Sequence, residues 1–128
     1  MTTTARTCTG STMVQISSGA AHWSADLAPS VGGSGQHPTP HDLLDSALAA
    51  CTVLTVQLYA KRKNLPLEDV QAQVEREQEG TVYRMRRRLE LRGRLSQEQR
   101  ADLLRVANAC PIHKALSGTF EVATELLD

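Results

Sequence analysis

Aromatic residues are scarce in this chain: one Trp, two Tyr and one Phe in 128 residues. The core must therefore be built from Leu, Val and Ala, which bury less area each. A thin core of this kind is expected to need a second subunit to cover leftover apolar surface. Net charge is missing too, with fourteen basic and fourteen acidic residues. That balance argues against a dedicated nucleic-acid or membrane-surface binder, which carries a basic excess. The shortage of stacking rings points the same way for nucleic acid. No apolar leader is read in Met1 to Thr12, which is polar and expected to be frayed. The longest apolar run, Leu43 to Ala60, is broken by Asp45, Ser46, Thr52, Thr55 and Gln57, so it is not read as a membrane span. The expected compartment is the cytoplasm, where thiols stay reduced. Three cysteines suggest no disulfide framework there. CxxC and clustered carboxylates are lacking, so no metal is expected. A zinc site drawing on Cys110 and His113, with His37, His41 or Cys51, is the minor alternative.

What is present reads as one α+β domain over residues 1–128. Met13–Ile16 and His22–Leu27 alternate as two short strands joined at Ser17-Ser18-Gly19. A Gly, Ser and Pro-rich loop follows, from Pro29 to Pro40. Thr39 then offers an N-cap, Pro40 the first helical position and Asp42 an acidic first turn. The helix is predicted to end near Lys63, before Asn64 and Pro66. It is apolar on nearly every face, which predicts a central position with other elements packed around it. Val70–Glu75 and Tyr83–Leu95 predict a hairpin turning at Glu79-Gly80. On the second strand Met85, Leu89, Leu91 and Leu95 share one face. The basic stripe of Arg84, Arg86, Arg87, Arg88, Arg92 and Arg94 reads mainly as its solvated side. Glu75, Glu77, Glu79 and Glu90 are available for pairing across the hairpin. Ser96 to Gln99 has capping-box spacing, with Leu103, Leu104, Val106 and Ala107 as the buried stripe of the helix that follows. Cys110-Pro111 opens a further short helix, and Phe120–Leu126 is predicted to be a closing strand. The fold class is an antiparallel sheet packed on a long buried helix.

Two cysteines carry the chemistry. Cys51 lies inside Leu43-Leu44-Asp45-Ser46-Ala47-Leu48-Ala49-Ala50-Cys51. Buried cysteine is common in cores, but Thr52 and Thr55 place hydroxyls near this one, and a reactive thiol needs such donors or a cation. Cys110 precedes Pro111, so its sulfur can cap a helix start. Free amides there favour a thiolate, and His113 and Lys114 can add positive charge. The plain alternative is a helix cap that happens to be cysteine. Cys8 lies in the Thr-rich start and is given no role.

The two segments together, Pro40-His41-Asp42-Leu43 through Ala50-Cys51 and Ala109-Cys110-Pro111-Ile112-His113-Lys114-Ala115-Leu116-Ser117-Gly118, resemble the OsmC/Ohr family of thiol peroxidases. The resemblance extends over nearly the whole chain. It implies an intertwined homodimer with two long helices buried between wrapped sheets. It also implies that Cys51 attacks an organic hydroperoxide, that Cys110 captures the sulfenic acid as a disulfide, and that an external dithiol restores both thiols without metal, flavin or haem. One departure stands out. Family peroxidases activate the first cysteine with an N-terminal arginine and a glutamate opening the cysteine helix. Here His41 follows the proline, Asp42 comes next, and Thr12 to Pro40 contains no arginine. The candidate activating residues are therefore His41, Asp42 and His113, with His37 or a distant arginine such as Arg84 as substitutes. The alternative function is a redox-sensing or small-molecule-binding relative with little peroxidase turnover.

Overall fold

Local capping decides where the helices begin. In the computed structural model, which describes residues 1–127, the Thr39 hydroxyl accepts the Asp42 amide at 3.2 Å and the Asp42 carboxylate accepts the Thr39 amide at 2.9 Å. This reciprocal cap opens α1, Pro40–Arg62. Lys61 and Arg62 suit its C-terminal dipole, and the turn after it is completed by Asn64 in the left-handed region, φ 53°. Ser96 and Gln99 form the same kind of box at the start of α2, Gln97–Asn108. Cys110 caps α3, Pro111–Leu116.

The chain divides into two compact units, with the boundary at Ser46/Ala47 inside α1. In the first, β1 (Thr3–Thr7), β2 (Val14–Ser18) and β3 (Ala21–Ala25) form an antiparallel sheet in that order. The register runs from Thr3 opposite Ser18 to Thr7 opposite Val14. β1 replaces the frayed start expected from sequence. Its Thr-rich stretch has the branched side chains that favour extended backbone, yet all five residues are exposed, so no alternation marks it. Buried Asp26 anchors the loop that follows. Its carboxylate accepts the Thr12 hydroxyl at 2.5 Å, the Leu27 amide at 2.8 Å, and the Ser34 amide and hydroxyl at 3.1 and 3.2 Å.

In the second unit, β4 (Leu67–Glu79) and β5 (Val82–Gly93) form a long antiparallel hairpin. Gly80, at φ 58°, makes its turn. Val70, Ala72 and Val74 face inward opposite Leu91, Leu89 and Arg87. The outer side carries the expected Arg–Glu pairs, Arg84–Glu79 at 3.2 Å and Arg88–Glu75 at 3.9 Å. Both are solvent-exposed and contribute at most about 1 kcal/mol each. The core gathers Val56, Ala60, Val70, Leu103 and Ala107, with Val53, Tyr59, Leu65, Leu67, Leu89, Leu91 and Leu95 against it.

Three sequence expectations change here. α1 was expected to be enclosed on every side, but within the chain it buries one stripe, Leu48, Thr52, Val56 and Ala60, and leaves Leu44, Leu54 and Leu58 exposed. Helix hydrophobicity records how much surface needs cover, not what covers it. By length and composition alone α1 could also cross a membrane. Leu104, assigned to the buried stripe of α2, is 54% exposed. Phe120–Leu126 forms no strand among the described residues, and Val122 stands 89% exposed. Alternation marks a strand-competent segment, but a ladder needs a neighbour.

Candidate functional site

The first turn of α3 holds both sulfurs. Pro111 has no amide hydrogen, so the next two free amides of the turn are those of Ile112 and His113. The Ile112 amide donates to Cys51 Sγ at 3.5 Å and the His113 amide donates to Cys110 Sγ at 3.3 Å. Consecutive residues of one turn thus fix thiols that lie 59 positions apart in sequence, and the Cys51 thiol is a hydrogen-bond partner of Cys110. Cys110 is fully buried and Cys51 is partly exposed. Thr55 Oγ1 stands 3.9 Å from Cys51 Sγ, one helical turn along α1.

Arg87 binds this group together. Its Nη1 donates to Thr52 Oγ1 at 2.9 Å and faces Cys110 Sγ at 3.9 Å. Its Nη2 donates to Asn108 Oδ1 at 2.9 Å and meets His113 Nδ1 at 2.9 Å. A guanidinium only donates, so His113 Nδ1 is the acceptor and the ring proton sits on Nε2. Thr52 is fully buried and directs its own proton to the Leu48 carbonyl at 2.7 Å, leaving its oxygen to accept from Arg87. Elements α1, α2, α3 and β5 therefore each contribute to fixing one cation.

Burial alone raises the Cys110 thiol. The His113 amide, the Cys51 thiol, the Thr52 hydroxyl and the charge of Arg87 together outweigh it, so the pKa lies below the ordinary 9.0. Beside the group lies a cavity of about 400 Å³. Leu48, Met85, Leu89, Leu104 and Leu116 supply apolar walls, and Arg87, Asn108 and His113 supply one polar side. This explains the exposure of Leu104: it lines a cavity rather than the core.

The family model for OsmC-like protein matches residues 33–125, a span that contains both cysteines and all of these partners. The chain belongs to the OsmC-like family. Solved structures of similar fold include an OsmC-like protein from Mycoplasma pneumoniae, 21% identical, with TM-score 0.76 over 91% of this chain and 86% of that one. An organic hydroperoxide resistance protein from Legionella pneumophila is 23% identical, with TM-score 0.65 over 92% and 90%. The organic hydroperoxide resistance protein OhrB of Bacillus subtilis is 24% identical, with TM-score 0.61 over 91% and 90%. No curated protein sequence matches the chain.

Of the candidate residues of this OsmC-like chain, the structure brings Cys51, Cys110 and His113 together. His41 and Asp42 lie in the first turn of α1, where Asp42 is engaged in the cap with Thr39. Arg84, a candidate substitute cation, is exposed and pairs with Glu79. Arg87 was grouped with the solvated stripe in the sequence reading, and the structure corrects that. The signal lay in strand parity: position 87 falls between Met85 and Leu89 on the inward face, whereas Arg86 and Arg88 fall on the outer one. A charge on the apolar side of an alternating strand marks a cation with a buried partner.

Proposed function

We propose that this OsmC-like chain is a two-cysteine peroxidase that reduces organic hydroperoxides. The observation that carries the reading is the pair of sulfurs held by consecutive amides of α3, one sulfur accessible and the other buried. Cys51 attacks the distal oxygen of the hydroperoxide, the O–O bond breaks and an alcohol leaves. Cys110 attacks the resulting sulfenic acid, forming the disulfide and releasing water. An external dithiol then reduces the Cys51–Cys110 bond. The sulfur supplies both electrons, so the cycle calls for no cofactor. The adjoining apolar cavity favours an organic peroxide over hydrogen peroxide. The hydroperoxide-resistance names borne by structural neighbours agree with that substrate class.

The working form is a homodimer in the cytoplasm. The exposed apolar residues of α1, together with Phe120, Val122 and Leu126, form the surface a second copy covers. Asp45 and Gln57 interrupt the same helix, and they suit a protein partner better than lipid.

The test is a single-turnover reaction of reduced protein with cumene hydroperoxide and with hydrogen peroxide, followed by intact mass and peptide mapping. Loss of two hydrogens at a Cys51–Cys110 linkage, faster with the organic peroxide and abolished by Cys51→Ser, is expected. Slow, unselective oxidation, or unchanged consumption in Cys51→Ser, overturns the proposal. A disulfide that forms once without sustained turnover identifies a redox sensor instead.

A further inference from the structure

The cavity of about 400 Å³ beside the thiols has a polar wall that the peroxide cycle leaves unused. Its described lining lies wholly in the second unit and includes neither Cys51 nor Cys110. Arg87 from β5, Asn108 from α2 and His113 from α3 form the polar wall. Arg87 Nη2 lies 2.9 Å from both Asn108 Oδ1 and His113 Nδ1. A guanidinium only donates, so each neighbour turns its acceptor end to Arg87. The ends left over are donors: the Nδ2 amide of Asn108 and the Nε2 proton of His113. Ser117 also lines the cavity, but its hydroxyl proton is used on the His113 carbonyl at 2.9 Å.

Charge points the same way. Arg87 pairs with no carboxylate among the described residues, and no Asp or Glu is found in the described lining. Its nitrogen and oxygen partners, Thr52, Asn108 and His113, carry no charge to set against it. A cation on the inward, apolar side of a strand is ordinarily compensated. The remaining walls are apolar, with Met85 and Leu89 from β5, Leu104 from α2 and Leu116 from α3.

We infer that this cavity is a binding site for an alkyl monocarboxylate. The carboxylate sits against Asn108 Nδ2 and His113 Nε2, and the alkyl chain lies along the apolar walls. Arg87 is a positioning residue: it holds both contact groups in their donor orientation and supplies the compensating charge at one remove. An anion that only accepts hydrogen bonds satisfies that wall. An alcohol brings no charge to set against Arg87, and an ammonium meets two donors and a cation. Each further methylene buried tightens binding by about fourfold until the cavity is filled. Neither sulfur takes part, so the site exists whether or not the thiols consume peroxide.

The test is calorimetric titration of the full chain with hexanoate, octanoate, 1-octanol and octylamine, in a Cys51→Ser background that keeps peroxide chemistry out. Saturable binding of octanoate is expected, about tenfold or more tighter than hexanoate and about tenfold or more tighter than octanol, with no binding of octylamine. Asn108→Asp keeps the side-chain shape and an oxygen for Arg87, but exchanges the donor for a negative charge. It should weaken octanoate by about tenfold or more and leave octanol in place. Arg88→Gln removes the same unit of charge from the outer face of β5 and should leave octanoate unchanged. Arg87→Met should lose the preference for octanoate over octanol while still binding octanol, and Arg87→Lys should restore part of it. Such a change of selectivity does not follow from a merely loosened fold. Equal binding of octanol and octanoate, octanoate binding unmoved in Asn108→Asp, or no saturable binding of octanoate overturns the inference. So does an equal loss in Arg88→Gln, which would mark unspecific attraction of an anion. Should Arg87→Met fail to fold, Asn108→Asp still decides.

Discussion

Replacing Thr52 by valine removes one oxygen from the centre of the site while keeping its shape. Thr52 is fully buried, donates to the Leu48 carbonyl at 2.7 Å and accepts Arg87 Nη1 at 2.9 Å. The bond from Arg87 is charge-assisted, and losing it is expected to destabilise the fold by about 2 kcal/mol. The bond to Leu48 is a back-bond to the preceding helical turn and contributes little net stability. Thr52→Ser keeps the oxygen and removes one buried methyl, a loss of about 1 kcal/mol. The order of stability is therefore wild type, then Thr52→Ser, then Thr52→Val. A purely apolar reading of this helix stripe predicts the reverse order for the two variants. The assay is urea unfolding of the reduced proteins at one fixed concentration, with equal slopes checked so that midpoints compare directly. A double-mutant cycle with Arg87→Met is expected to return a coupling of about 1 kcal/mol or more. If Thr52→Val is as stable as Thr52→Ser, or the cycle shows no coupling, Thr52 does not anchor Arg87 and the account of the site is wrong.

Two further outcomes are expected. The Asp26 carboxyl is lowered from 3.8 to about 2, chiefly by the Thr12 hydroxyl and then by the Ser34 and Leu27 amides. Its folded value lies below its unfolded one, so its contribution is fully present above pH 3.8 and is lost as pH falls toward about 2. Unfolding followed across that range should show an acid limb that flattens in Asp26→Asn, which should be less stable than wild type at neutral pH; identical profiles would remove the assignment. Sedimentation of the intact chain should give twice the monomer mass, and Leu54→Glu with Leu58→Glu should shift it toward monomer, whereas a monomeric wild type would leave the apolar flank of α1 needing another explanation.

Local chemistry was legible before any coordinates. Thr39-Pro40, Ser96 with Gln99, and Cys110-Pro111 each set a helix start within a few residues, and the structure places all three starts there. The alternation read from Tyr83 to Leu95 marked the long strand of the hairpin, which ends at Gly93. The OsmC-like fold followed from two motifs at their separation. The remaining features depend on neighbours distant in sequence. β1 has no buried face to betray it, and Phe120–Leu126 carries a strand pattern without a ladder among the described residues. Asp42 was weighed as an activating residue, but its carboxylate is used three residues back, in the cap with Thr39. Arg87 was hidden because five other arginines surround it in sequence. Strand parity, which sets position 87 with Met85 and Leu89, is what shows that it points opposite to Arg86 and Arg88.

In the proposed cycle, the contrast between α1 and α3 bears on which part of the molecule would move as the two sulfurs join. α1 is 23 residues long and is locked by a buried stripe. α3 has six residues and buries none of them. In mechanical terms one is an anvil and the other a leaf spring. Any displacement needed to close the S–S bond falls on the compliant partner, and α3 passes directly into residues 117–127. Under the proposed disulfide cycle, a shift of α3 would be passed first to residues 117–127, which follow it directly.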